Sequence, residues 1–288
     1  MPLIRYPGSK AKLVDALSRL LPESMTHELW CATESFEYRE PFFGSGAIGF
    51  RLMESLNRRS SIWINDIDGD LACLWQTVRD EPKELMRRVV DFTPSVDAFY
   101  EMKNRDNVLS GDSVDRGFRK LALHRMSMSG FGYMSGGPLG GRNQRSDYNV
   151  NCRWNPTRLK MDIQRLHRSM KQFANFKITS LDFEKVIAGA DGRTMIYCDP
   201  PYYQKGSQLY RFSMTDADHK RLARLLLYSR AMWLASYDDH LVIRQLYAGC
   251  CIESLRVTYT NAVQKAGRRP KNKEIAIASP SLVQRLTA

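Results

Sequence analysis

Apolar residues recur along this chain in two alternating rhythms. The stretch Met195 to Cys198 is short, unbroken and bounded by Gly192 upstream, as a strand buried on both faces of a parallel sheet should be. Residues 36–42 (F-E-Y-R-E-P-F) and 61–68 (S-I-W-I-N-D-I-D) read as two more strands. A helix through Ile48, Leu52 and Leu56 follows the first, and a helix from about Asp70 to Thr77 follows the second. Ahead of them, Leu13, Leu17, Leu20 and Leu21 stand at helical spacing, and Pro22 ends that helix. The same rhythm returns late in the chain. It predicts a helix over 158–172, a strand over 176–180, a helix after Asp182, a helix over 215–229, a strand over 232–236 and a helix over 240–247. Residues 250–260 and 274–279 read as two edge strands joined by the basic loop Q-K-A-G-R-R-P-K-N-K.

The middle of the chain breaks the rhythm. From about Glu81 to Pro156 helix-like segments flank S-G-F-G-Y-M-S-G-G-P-L-G-G-R-N-Q-R-S-D-Y-N, which has no hydrophobic period. A loop of that length inside a compact unit is usually functional or disordered. The expectation is one α/β core interrupted by a smaller, polar insertion, without internal repeats.

Composition narrows the partners. The chain has 288 residues, 43% of them hydrophobic, with 43 Lys plus Arg against 31 Asp plus Glu, a net charge of +12. That suffices for a large core and points to a polyanionic partner. The six cysteines show neither a CxxC pair nor regular spacing, so no metal site or disulfide framework is indicated and a reducing cytosol fits best. The N-terminus is unlike a signal peptide, and no apolar stretch approaches the roughly 20 residues needed to cross a bilayer.

Two stretches carry chemistry. Gly44-Ser45-Gly46-Ala47-Ile48-Gly49 fits G-x-G-x-x-G between a strand and a helix, and Asp66 follows as an acid able to accept bonds from ribose hydroxyls. Both nicotinamide dinucleotides and S-adenosylmethionine need such a turn, so an oxidoreductase is a rival on this feature alone. The second stretch is Asp199-Pro200-Pro201-Tyr202-Tyr203. The prolines force the chain out of the sheet as a stiff, extended turn, at the strand end where open α/β sheets hold ligands. Hydride transfer has no use for it, but methyl transfer to an exocyclic amine does. That nitrogen's lone pair is delocalised into the base. Acceptors at its two N–H bonds, the Asp199 carboxylate and the Pro200 carbonyl, would localise the pair and aim it at a methyl group. Tyr202 offers a face for stacking the base, which must be flipped out of a duplex to be reached.

At these residues the sequence resembles the Dam-type DNA adenine-N6 methyltransferases, the alpha group of the D12 class. The resemblance runs in order through R-Y-P-G-S-K, E-P-F-F-G-S-G, N-D-I-D, S-L-D-F, Y-C-D-P-P-Y and K-N-K-E-I-A-I-A-S. It implies a Rossmann-like S-adenosylmethionine-dependent core, a mostly parallel sheet with an antiparallel edge hairpin, spanning 1–69 and 158–288. A smaller, mainly helical target-recognition insertion would span 70–157. By position, Tyr6 and Lys10 would contact S-adenosylmethionine. Phe42, Phe43, Gly44, Ser45 and Gly46 would line its methionine end, Asp66 its ribose, and Asp182 with Phe183 its adenine ring. Asp199 would lie between cofactor and target base, with Pro200, Pro201 and Tyr202 completing the catalytic turn.

Within the insertion, His124-Arg125 opens a stretch similar to the family's H/N-R-x-x-x-x-G, and Asp147-Tyr148-Asn149-Val150 is similar to its F-N-V. Arg125, Arg142, Asn143, Gln144 and Arg145 are suited to base edges or phosphates, and Lys265, Arg268, Arg269 and Lys271 to backbone. Solvated loop charge is the competing account of these basic residues. The implied enzyme is a cytoplasmic protein of bacterial or phage type acting on double-stranded DNA, with no obligate protein partner. The same chemistry on cytosine N4 or on RNA adenine, and a catalytically silent nucleic-acid-binding protein, stand as alternatives.

Overall fold

The computed structural model describes residues 3–4, 36–54, 56–104, 111–204, 206, 211–256 and 273–287. The expected helix through Leu13 and Leu21, and the basic residues 265–272, lie outside the described residues. In chain order the elements are β1 (Glu37–Glu40), α1 (Gly49–Met53), β2 (Ser61–Asn65), α2 (Gly69–Asp80), α3 (Pro82–Asp91), α4 (Val96–Asn104), α5 (Ser113–Met126), α6 (Pro156–Lys171) and β3 (Asn175–Thr179). They continue as α7 (Phe183–Ile187), β4 (Thr194–Cys198), α8 (Asp216–Tyr228), β5 (Met232–Asp238), α9 (Leu241–Leu246), β6 (Cys251–Arg256), β7 (Lys273–Ala278) and α10 (Pro280–Thr287).

The helix starts follow local chemistry. Asp68 caps α2 by accepting from the amides of Asp70 and Leu71, and Asn155 caps α6, with Pro156 in the first turn where no amide partner is needed. Thr215 and Asp218 form a reciprocal capping box on α8.

The strands form one seven-stranded sheet in the order β3-β2-β1-β4-β5-β7-β6. β1 pairs in parallel with β2 and with β4, so the chain winds outward to β3 on one side and returns to start the other half beside β1. That reversal opens a crevice at the carboxyl ends of β1 and β4, where doubly wound sheets bind ligands. One expectation is corrected here. β7 is not an edge strand: it inserts antiparallel between β5 and β6, leaving only β6 of that pair at the edge. Its alternating, fully buried Ile275 and Ile277 explain the inner place, since such a strand gains more with both neighbours covered.

Both faces of the sheet are buried. Met195, Tyr197, Met232 and Leu234 join a core with α2, α3 and α6, while Ile196, Cys198, Trp233, Ala235 and Tyr237 join another with α7, α8 and α9. The alternation explains why β4 and β5 read as continuous apolar runs. A third, smaller cluster gathers Phe99, Ala122, Leu123, Met126, Tyr133 and Val150. Leu71, Leu74, Trp75 and Val78 of α2 pack with the sheet rather than with this cluster.

The glycine-rich stretch after α5 is ordered by its own contacts. Leu139 is fully buried and its amide bonds Met126 O at 2.8 Å. Gln144, at positive φ, donates to Leu139 O and Gly141 O and accepts from the Val150 amide.

Candidate active site

The D-P-P-Y-Y turn leaves β4 and is held by β5 and β7, the next two strands in its own half of the sheet. Ser236, fully buried on β5, donates to Asp199 Oδ1 at 2.9 Å and shares a second 2.9 Å bond with the Tyr197 hydroxyl. The Tyr202 hydroxyl donates to Glu274 Oε1 at 2.7 Å. One residue on, the carboxylate of Asp238 accepts from the amides of Tyr203 at 2.9 Å and Gln204 at 3.1 Å. Asp238 and Glu274 stand opposite each other in the β5/β7 register. The Tyr203 ring lies 4.5 Å from the ring of His240 and 5.3 Å from that of His219. Sequence pattern marks neither Ser236 nor Asp238, and Glu274 only as part of K-N-K-E-I-A-I-A-S. The available signal was a polar residue at the end of, or within, an otherwise apolar strand, as in L-A-S-Y-D and K-E-I-A-I.

On the neighbouring strand the chain turns through Gly44 and Gly46, both at positive φ. At Gly46 a Cβ would lie 2.6 Å from ring atoms of Phe43 and Phe50, so only glycine fits. Phe43, Phe50 and Trp75 pack edge to face at centroid distances of 5.2 to 5.5 Å, and Trp75 Nε1 donates to Gly44 O at 3.1 Å. The Gly44 amide donates to Asp66 Oδ2 at 2.9 Å and the Asp68 amide to Oδ1 at 2.9 Å. Burial, then the neighbouring Asp68 charge, pushes the Asp66 carboxyl up from 3.8 to about 6. Ser45 is buried within this turn.

Beneath the turn lies Glu40, 2% exposed, accepting from Tyr38 Oη at 2.6 Å. Burial raises its carboxyl well above the usual range despite that bond, and Asp199 and Asp66 raise it further. Its carboxylate abuts Gly49, the first residue of α1, where any side chain would collide with it. In a dinucleotide unit that helix start receives the pyrophosphate; here an acid fills it.

Asn65, 2% exposed at the end of β2, joins three strand exits. Its Nδ2 donates to Pro41 O at 3.0 Å and Leu181 O at 2.9 Å, while its Oδ1 accepts from Thr179 Oγ1 at 2.7 Å and the Leu181 amide at 2.8 Å. This sets Phe42 of the first exit 5.6 Å from Phe183 of the third, centroid to centroid. Asp182 caps α7 and takes both guanidinium nitrogens of Arg221 at 2.9 Å, which holds its carboxyl below the usual range. The Arg221 guanidinium also lies 4.2 Å over the Phe183 ring. The remaining acids of N-D-I-D-G-D face α5: Asp68 pairs with buried Lys120, and Asp70 with Arg116 at 2.6 Å and with the Tyr133 hydroxyl at 3.3 Å.

The basic positions expected to meet DNA separate into different roles. Arg125 donates from Nε and one Nη to Leu3 O at 2.9 and 2.6 Å, tying α5 to the start of the chain. The Gln144 amide is occupied within its loop. Arg142 is exposed, 4.7 Å over the Tyr100 ring. Asn143 and Arg145 are exposed as well. Tyr6, Lys10, Lys265, Arg268, Arg269 and Lys271 lie outside the described residues.

A glycine cradle on one strand and a D-P-P-Y turn on its parallel neighbour, in a sheet closed by an inserted antiparallel strand, define a methyltransferase. Comparison with known proteins narrows the class: residues 6–261 match the D12 class N6 adenine-specific DNA methyltransferases, and the chain belongs to that family. It is 24% identical over 296 residues to the Type II methyltransferase M1.LlaDCHI of Lactococcus lactis subsp. cremoris, covering 96% of this chain and 95% of that one. It is also 24% identical over 293 residues to the DNA adenine methylase of Salmonella typhi, covering 97% and 95%. A third relative is the Type II methyltransferase M.MjaIII of Methanocaldococcus jannaschii, 24% identical over 239 residues, or 77% and 78%. The protein is thus an enzyme that methylates adenine at N6 in DNA from a methyl donor. The oxidoreductase, silent-binder, cytosine and RNA alternatives give way to it. Among the described residues, no helix is long and apolar enough to cross a membrane.

Proposed function

We propose that the methyl donor is S-adenosylmethionine, held across the carboxyl ends of β1, β2 and β3, and that the enzyme acts on double-stranded DNA by gripping a flipped-out adenine. The crevice suits that donor. Asp66 can accept ribose hydroxyls beside its two amide bonds, and Phe42 with Phe183 offers apolar walls to an adenine ring. Phe43, Gly44, Ser45 and Gly46 form the cradle for the methionine end, with Tyr6 and Lys10 contributing from the N-terminal segment. Asp199 and Asp66 raise the cost of ionising the buried Glu40, so a cationic sulfonium beside these acids is welcome where a dianionic pyrophosphate is not. When bound, this group supplies an electrophilic methyl carbon.

The protein's part is geometric. Asp199 and the Pro200 carbonyl accept the two N–H bonds of the target amine, which frees its lone pair from the ring. Ser236 pins one oxygen of Asp199 so that this acceptor does not swing. Pro200 and Pro201 fix the backbone, and Tyr202 stacks on the base. The recognition region is the insertion, 70–157, whose first helices α2 and α3 also pack on the sheet of the catalytic unit, 1–69 and 158–288. Its DNA contacts come from Arg142, Asn143 and Arg145, with Lys265, Arg268, Arg269 and Lys271 on the backbone. Arg125 acts through its tether to Leu3. The enzyme works in the cytoplasm without an obligate protein partner.

The observation that carries this reading is that the glycine turn and Asp199 leave adjacent parallel strands on the same side of the sheet. The test is Asp199→Ala with unmethylated DNA and S-adenosylmethionine, followed by nucleoside mass spectrometry. Formation of N6-methyladenine should fall by about a thousandfold while DNA binding by fluorescence anisotropy persists. Retained turnover would reject the role given to Asp199.

A further inference from the structure

We infer that Glu274 is a positioning residue for the target base, acting through Tyr202; this rests on the reading of Tyr202 as the face on which the base stacks. The insertion of β7 beside β5 brings a carboxylate to the mouth of the crevice. Glu274 is only 1% exposed, and an acid so placed costs stability unless its oxygens are bonded. Its Oε1 accepts the Tyr202 phenol at 2.7 Å, within the range of charge-assisted bonds to a carboxylate.

Across the register, Asp238 accepts the amides that follow Tyr202. Tyr202 is therefore fixed at both ends, its backbone by the prolines and Asp238 and its ring tip by Glu274. A ring held this way keeps the stacked base in the reacting geometry, so less reorientation remains between the bound state and the transition state.

The charge adds a second effect. A phenol that donates to a carboxylate becomes richer in π-electrons. The amine it faces through the stacked base becomes positive as the new N–C bond forms, and an aromatic face attracts that charge. An amide acceptor in place of Glu274 would keep the geometry and lose this part. The effect belongs to the transition state, so it falls on kcat rather than on KM for DNA.

The experiment is single-turnover methyl transfer on DNA by Glu274→Ala, Glu274→Gln, Tyr202→Phe and the double variant Tyr202→Phe/Glu274→Ala. Glu274→Ala and Tyr202→Phe should each lower the transfer rate by about tenfold, with KM for DNA and binding of S-adenosylmethionine unchanged. The double variant should lose no more than the worse single one, because both substitutions break the same bond. Glu274→Gln should recover part of the loss. Wild-type rate in Glu274→Ala, or losses that multiply in the double variant, overturns the inference. If Glu274→Ala does not fold, Tyr202→Phe and Glu274→Gln decide it: a full rate in both overturns it. Tyr202→Ala separates the two claims, since normal turnover there would defeat the stacking role itself, whereas loss there with no loss in the Glu274 variants defeats only the positioning.

Discussion

Asn65→Asp replaces one atom pair and tests how the crevice is assembled. The Nδ2 that now donates to Pro41 O and Leu181 O becomes an oxygen facing two carbonyls, while the bonds from Thr179 Oγ1 and the Leu181 amide survive. Each buried carbonyl left without its donor costs about 1–3 kcal/mol, so the pair costs about 4 kcal/mol. At about 2–4 °C per kcal/mol for a chain of this size, the melting temperature at pH 8 should drop by about 12 °C. The introduced carboxyl is buried against two carbonyl oxygens, which raises its pKa above that in the unfolded chain. The folded state then holds the proton more tightly, so stability falls as pH rises from the unfolded to the folded pKa. Melts by circular dichroism at pH 5 and pH 8 check both points. Binding of S-adenosylmethionine should weaken in parallel, because the same bonds hold Phe42 and Phe183 together. A melting temperature shifted by less than about 3 °C at both pH values would show that the three strand exits do not depend on this side chain.

Two further outcomes are expected. The Asp66 carboxyl, raised to about 6 by burial and the Asp68 charge, must be ionised to accept ribose hydroxyls, so binding of S-adenosylmethionine should weaken as pH falls below about 6, approaching tenfold per pH unit. Titration calorimetry between pH 5 and 8 should show that slope in the native enzyme and not in Asp66→Asn; a flat native profile would remove Asp66 from the donor's site. Replacing Arg142 and Arg145 together with Ala should weaken DNA binding and reduce the slope of log K against log salt by about 1.8 if both meet phosphates. An unchanged slope would return that loop to solvated charge.

What could be read without coordinates was whatever short-range chemistry enforces. Two prolines after Cys198 cannot continue a strand, glycines at 44 and 46 permit a turn that other residues resist, and apolar spacing marks the helices over 158–172 and 215–229. The α/β order and the two functional turns follow from these, because periodicity and turn chemistry act locally. Tertiary structure decided which distant polar groups those turns meet. Ser236 and Asp238 lie 37 and 35 residues beyond the groups they bond, and Glu274 lies 72 residues beyond Tyr202. It also assigned Arg125 to a carbonyl and Gln144 to its own loop. Nothing local encodes the long-range pairings: those of Ser236 and Asp238 depend on β5 lying beside β4, and that of Glu274 on β7 entering the sheet beside β5, a choice made by burial of both its faces against elements far away in the chain.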